Sequence, residues 1–200
     1  MNTTTTTITA TAGDLHEQIL NVGYAKAVRD YCDPLYHAWT DSLEHGGNAT
    51  DEPTRLRLAA GMRESLAIRD ALIMSTVTNV DDPDTMLAVA AEPHEPVNVR
   101  IMCDALTRAF DNPKAVPDPW KCTAALDILD AMTRELQAAK TPDAYLTQPA
   151  AVSAYLQWWN HRPAQARLDS QAALVYDPQT TLAAIVLSAI DHNITPAWTR

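Results

Sequence analysis

The densest cluster of side chains suited to recognition lies at Trp158, Trp159, His161 and Arg162. Tryptophan and arginine dominate protein interfaces, because each couples a large contact area to a directed polar group. Adjacent residues on a helix point about 100° apart, so the two indole rings cannot both face one core. We expect Trp159 to pack, and we leave open whether Trp158 stays partly exposed, where it would be a natural anchor for a partner.

The predicted partner-binding residues are Trp158, His161, Arg162 and Trp198. In the alternative, both tryptophans of the Trp158-Trp159 pair pack, one within the bundle and the other against the chain end near Trp198. An acid–base pair of His161 with a nearby aspartate, Asp169 or Asp191, would need a nucleophile, and no serine or cysteine stands in a nucleophile motif.

Motifs for other chemistry are missing from the sequence. No glycine-rich phosphate loop occurs, and the six histidines and three cysteines lack the paired spacing of zinc ligands. Asp81, Asp82 and Asp84 precede a predicted helix, where carboxylates cap it and complement its dipole. Arg69-Asp70 is interpreted as an ion pair within a helix. We therefore predict no catalytic, cofactor-binding or metal site, and we expect that the chain is not an enzyme.

Charge and length limit the function classes. The 200 residues carry a formal net charge of −10, which disfavours nucleic-acid backbones and anionic membranes as partners. No stretch is long and apolar enough to span a bilayer, and the N-terminal residues lack the positive and apolar regions of a secretory signal. Cys32, Cys103 and Cys122 are predicted to be buried thiols in a reducing cytosol, so the expected location is cytoplasmic.

The sequence predicts an all-α fold of eight or nine helices. Apolar residues recur every three or four positions, and no strand or hairpin pattern occurs. Proline favours the first turn of a helix, so five dipeptides look like helix starts. They are Asp33-Pro34, Glu52-Pro53, Asp82-Pro83, Asp177-Pro178 and Thr195-Pro196.

Element boundaries follow from the same patterns. The threonine-rich residues 1–12 are predicted to be a disordered tail, and 13–200 a single helical domain. Residues 13–47 are a candidate N-terminal helical hairpin that ends at Gly46-Gly47, and one long helix is expected from about 53 to 78.

The C-terminal segment 150–200 predicts a helix, a turn, a second helix, an Asp-Pro turn and a third helix. Ala166 and Ala173 lie seven residues apart on one helix face, and Pro178 follows five residues later. Small alanines at this spacing let two helices approach closely. The arrangement resembles the second half of a tetratricopeptide unit, and only one such unit is present.

The same segment resembles the C-terminal part of the actinobacterial domain of unknown function 4192 family. The resemblance depends on Leu156-x-Trp158-Trp159, the 164–167 and 172–174 segments, Asp177-Pro178 and the 194–198 tail. A weaker similarity lies at 68–72. Because the family has no settled activity, the resemblance implies a fold and no chemistry.

These observations lead to a ranked interpretation of function. We predict a cytosolic protein-interaction or scaffold module that binds a protein partner through a groove formed by the last three helices. A homodimer is left open as one form of this binding. The alternative is a small acidic effector, of phage or plasmid type, that occupies a basic host protein. An enzyme ranks third, because no convergent polar groups are evident.

Overall fold

The computed structural model describes residues 3–46 and 50–200, and all regular elements within those ranges are helical. The all-α prediction is therefore confirmed. The predicted number of eight or nine helices is too low, because the described ranges contain ten: α1 (Thr3–Val22), α2 (Tyr24–His45), α3 (Glu52–Glu64), α4 (Leu66–Val77), α5 (Pro83–Ala91), α6 (Pro96–Asp111), α7 (Pro119–Ala138), α8 (Thr147–Trp159), α9 (Pro163–Tyr176) and α10 (Thr181–Asp191). Two short 3₁₀ turns span Asp143–Tyr145 and Ala197–Thr199.

The N-terminal segment differs from the predicted disordered tail over 1–12. Its first two residues lie outside the described part of the chain, but α1 begins at Thr3. Ile8, Ala12 and Leu15 are buried and recur every three or four residues, so α1 presents an apolar stripe to α2 and α3. Burial of this stripe favours a helix where the threonine content alone suggested none.

The first two helices meet at Gly23 rather than at Pro34. Gly23 adopts a φ of 84°, a conformation that costs other residues energy, and it separates α1 from α2. The prediction that Pro34 starts a helix is wrong, because Pro34 lies inside α2. Proline lacks an N–H, so the Asp30 carbonyl has no partner four residues on.

The predicted long helix from 53 to 78 is interrupted at Ser65. Ser65 has an extended backbone and separates α3 from α4. Its hydroxyl lies 2.5 Å from the hydroxyl of Tyr24, which also donates to the Ala90 carbonyl at 3.0 Å. These long-range bonds satisfy the polar groups at the break, and they explain why local helix propensity did not reveal it.

Two of the five predicted helix starts at a proline agree with the structure to within one residue, and an aspartate caps both helices. Asp82 caps α5, which begins at Pro83, and Asp51 caps α3 one residue earlier than the predicted Glu52-Pro53 start. Asp177-Pro178 instead forms a turn, and α10 begins only at Thr181. Thr195-Pro196 precedes a single 3₁₀ turn rather than an α-helix.

Helix α8 lies at the centre of the fold. None of its residues is exposed, and it packs against α3, α4, α7, α9 and α10. Its polar Gln148 accepts a hydrogen bond of 2.9 Å from the buried Arg69, whose guanidinium also pairs with Asp70 at 2.7 Å. The predicted Arg69-Asp70 ion pair is present, and it links α4 to the central helix.

Helix α9 buries a narrow stripe of small residues. Only Ala166, Ser170 and Ala173 are buried, and the helix packs mainly against α8 and α10. The three-residue connection from α8 to α9 and the close packing agree with the predicted helical hairpin at this end. The tetratricopeptide likeness itself stays a prediction.

Enlarging the stripe should destabilise the fold. We expect Ala166→Leu and Ala173→Leu each to lower the free energy of unfolding by about 1–3 kcal/mol, because the added atoms overpack a closed site. The exposed Ala164→Leu on the same helix is the matched control and should change it little. Urea denaturation measures all three, and equal stabilities would show that the stripe is not tightly packed.

Candidate functional site

The two adjacent tryptophans at the end of α8 are both buried. Trp159 is 1% exposed and Trp158 is 9% exposed. Their rings lie 6.1 Å apart, and Tyr155 contacts both of them. The possibility of a partly exposed Trp158 is wrong, because Phe110, Trp159 and the C-terminal tail cover its indole. The alternative, in which both rings pack, agrees with the structure.

Trp158 holds the chain end in place. Its indole N–H donates to the Ile194 carbonyl at 3.0 Å, and its ring stacks on Phe110 of α6 at 6.2 Å. The final 3₁₀ turn also packs against α6. This tryptophan therefore joins α6, α8 and the C-terminal tail, which is a structural role rather than that of a free anchor.

The other three predicted partner-binding residues gather beside this cluster. His161 and Arg162 are exposed in the connection between α8 and α9, where His161 adopts a φ of 55°. The His161 and Trp198 rings meet edge to face at 6.5 Å. Trp198 is partly buried, and its indole N–H has no hydrogen-bond partner among the described residues.

The imagined acid–base pairs of His161 do not form. Asp191 pairs instead with Arg167 at 2.6 Å, and Asp169 accepts a hydrogen bond of 2.8 Å from Gln165. Within residues 3–46 and 50–200, no hydrogen bond or ion pair joins His161 to either carboxylate. The ring is positioned to contact Trp198 and solvent.

A groove runs between α7 and α9, with α8 as its floor. Both helices pack against α8 and stand apart from each other, and the enclosed volume is about 370 Å³. Gln137 of α7 donates to the Tyr176 hydroxyl of α9 at 3.1 Å and bridges one end. Arg162 lies at the other end, so the groove opens toward the predicted partner-binding residues.

Carboxylates line both walls of this groove. Asp127 and Asp130 lie on α7, and Asp169 faces them from α9. Asp130 pairs with the exposed Arg134 at 2.9 Å. Burial raises the pKa of Asp169, with a smaller contribution from the Asp130 charge, while the bond from Gln165 opposes the shift. Burial therefore disfavours the charged form of the Asp169 carboxylate.

The floor carries an unsatisfied acceptor. The side-chain oxygen Oε1 of Gln157 is buried and has no partner in the described parts of the chain. Gln157 lines the groove together with Ala150 and Ser153 of the same helix. A buried acceptor without a donor costs free energy, and a rotation of the Gln157 side chain would be needed to bring this oxygen to a donor in the groove.

An apolar pocket of about 230 Å³ continues from the Arg162 end of the groove. Its lining includes Pro117, Pro119, Leu126 and Trp198. The groove and the pocket share Arg162 and Leu126, so one occupant could contact acidic and apolar surfaces together. The combination fits an amphipathic basic segment.

The sequence did not single out this groove. Asp127 and Asp130 were spaced three residues apart on a predicted helix, which indicates a shared face, but nothing local indicated that Asp169 would stand opposite them. Plotting the acidic residues by helix face would have identified the acidic face of α7. Pairing that face with α9 needed the packing of both helices on α8.

The cysteines differ from the prediction at one position. All three lie on helices, but Cys103 is exposed, while Cys32 and Cys122 are buried. Burial raises the pKa of the Cys32 thiol to about 12 and also raises that of Cys122, so both are protonated and unreactive at neutral pH.

The described residues contain neither a metal-ligand cluster nor a membrane-spanning helix. Among them, no group of three or more histidine, cysteine and carboxylate side chains is arranged to hold a metal ion. No helix in the same ranges combines the length and apolar character that crossing a membrane requires.

Removing the Trp158 indole should destabilise the protein. We expect Trp158→Ala to lower the free energy of unfolding by about 3–5 kcal/mol through the cavity it leaves. Trp158→Phe, which loses the hydrogen bond to Ile194 and some packing, should cost about 1 kcal/mol. Trp120→Phe, at an exposed tryptophan, is the control. A Trp158→Ala protein as stable as wild type in urea would contradict the buried role.

Comparisons with known proteins identified no relative of this chain. No family model matches the chain, and no curated protein or solved structure matches it. The resemblance to the domain of unknown function 4192 family therefore stays a prediction, and the candidate site depends on the geometry alone.

Proposed function

We propose that this chain is a cytosolic protein-interaction module whose α7–α9 groove binds a basic segment of a protein partner. The observation that carries the proposal is the pairing of three carboxylates on the groove walls with an unsatisfied acceptor on its floor. Arginine and lysine side chains carry several N–H donors on long apolar stems, so they match both features.

The size of the groove limits what enters it. A volume of about 370 Å³ is too small for a whole helix but accommodates a few long side chains. The occupant would therefore lie along the groove and insert basic side chains between α7 and α9. An apolar side chain of the same segment would fill the pocket beside Trp198.

The charge of the whole chain supports the same partner chemistry. A formal net charge of −10 steers a basic partner toward the protein and repels acidic ones. The acidic effector that occupies a basic host protein would use the same groove. The two functions differ in what binding does to the partner, and the scaffold function remains our first choice.

A labelled peptide that alternates arginine with leucine tests the proposal. We expect fluorescence anisotropy to report saturable binding that the Asp127→Asn/Asp169→Asn variant weakens about tenfold, because both replaced carboxylates would contact the guanidinium groups. The matched control is Asp84→Asn/Asp104→Asn, which makes the same change in net charge at two exposed positions.

The control separates a site from general charge attraction. Equal weakening by both double variants would mean that the peptide responds only to net charge, and it would overturn the groove proposal. The same conclusion would follow if an alternating glutamate and leucine peptide bound as well as the arginine peptide.

We expect the Asp169 carboxylate to favour partner binding but to lower the stability of the unbound protein. Because burial raises its pKa above 3.8, the folded protein binds this proton more tightly than the unfolded chain does. At pH values above the raised pKa, the charged Asp169 carboxylate therefore lowers the free energy of unfolding. We expect Asp169→Asn, which can still accept from Gln165, to raise the melting temperature at pH 7.

The gain should shrink as the pH falls toward 3.8, where wild-type Asp169 becomes neutral as well. Thermal melts of both proteins at matched pH values measure this difference. A variant that is less stable than wild type at pH 7 would show that the carboxylate is stabilising and that the groove holds it without cost.

A further inference from the structure

A second cleft differs in charge from the rest of this acidic protein. It lies where the α4–α5 connection, the end of α6 and the start of α7 meet, and it encloses about 420 Å³. Three of the chain's fifteen basic residues line it, namely Arg108, Lys114 and Lys121. Asp118 is the one acidic residue of the lining, so the lining carries a positive charge.

Two of the three cations keep an unpaired charge within the described part of the protein. Arg108 donates through Nε to the Asp104 carbonyl at 2.9 Å, which leaves its terminal NH₂ groups available. In the described ranges of the chain, neither Arg108 nor Lys114 forms an ion pair. Lys121 pairs with Asp81, but an ammonium group has three donors, and one carboxylate contact leaves others available.

The acidic residue of the lining already has a role. The Asp118 carboxylate caps α7 by accepting from the backbone N–H groups of Trp120 at 2.8 Å and Lys121 at 3.3 Å. The side-chain oxygen of Asn112 likewise accepts from the backbone N–H of Lys114 at 2.9 Å. These two acceptor atoms therefore already have donors, while Arg108 and Lys114 have N–H donors without acceptors in ion pairs among the described residues.

Helix stabilisation accounts for only one of the three cations. Arg108 lies in the last turn of α6, where a positive charge complements the helix dipole. Lys121 lies in the first turn of α7, where the dipole opposes a cation, and Lys114 lies in the connection between the helices. Three separate chain segments thus bring their cations to one cleft.

The cleft also has an apolar wall. Val77, Ala105, Ala109 and Pro117 are buried residues that line it. A volume of this size exceeds what an inorganic ion needs and is within the range of small-molecule sites. The ligand that fits both surfaces has an anionic group and a compact apolar body.

We infer that this cleft is a binding site for a small organic phosphate monoester, held by Arg108, Lys114 and Lys121. A phosphate dianion offers three acceptor oxygens, which match the guanidinium and ammonium donors of the residues that line the cleft. The site shares no lining residue with the α7–α9 groove, although Val116 and Pro117 line both this cleft and the apolar pocket beside Trp198.

Isothermal titration calorimetry with phenyl phosphate at low ionic strength tests the inference. We expect saturable one-to-one binding that is weaker for inorganic phosphate and undetectable for phenol. Arg108→Gln and Lys114→Gln should each weaken phenyl phosphate binding about tenfold, because each removes a charge-assisted hydrogen bond. Both side chains are exposed, so the fold should not depend on them.

Arg100→Gln is the matched control, because Arg100 is exposed on α6 two turns before Arg108 and does not line the cleft. Unchanged affinity in this variant supports the assignment. No saturable binding by the wild-type protein at millimolar phenyl phosphate would overturn it. Equal weakening by Arg100→Gln, or phenol binding as tightly as phenyl phosphate, would overturn it as well.

Discussion

A helix without any exposed residue needs neighbours around most of its circumference, and α8 imposes that requirement on the whole fold. Its neighbours come from the N-terminal half, through α3 and α4, and from the C-terminal half, through α7, α9 and α10. Trp159 is among the largest fully buried side chains of the protein. The two halves of the chain therefore depend on each other through one central element, and the buried side chains form one continuous cluster.

The candidate groove is a consequence of how α8 is covered. Where α7 and α9 pack on it side by side, the small side chains of Ala150 and Ser153 leave a gap rather than a filled contact. Polar groups then occupy an incompletely solvated site, among them Asp169 and the unpartnered Gln157 oxygen. Such groups cost stability in the unbound protein, and an occupant with N–H donors would recover that cost.

Local sequence patterns were sufficient where local chemistry decides the structure. The aspartate cap before Pro83 and the apolar periodicity of α7 predicted both helices. Long-range contacts decided the rest: Ser65 breaks a helix because Tyr24 reaches it from another element, and Trp158 is buried because Phe110 and the tail cover it. The acidic groove could not be predicted, since Asp169 meets Asp130 only after both helices have packed on α8.

Mapping of the bound peptide by chemical shifts tests the central claim most directly. Titration of ¹⁵N-labelled protein with the alternating arginine and leucine peptide reports every backbone amide in one experiment. The account predicts that the largest shifts lie along 123–137 of α7 and 165–176 of α9, with the indole N–H of Trp198 among them. Shifts concentrated on α1 to α6, or spread evenly over the acidic surface, would contradict it.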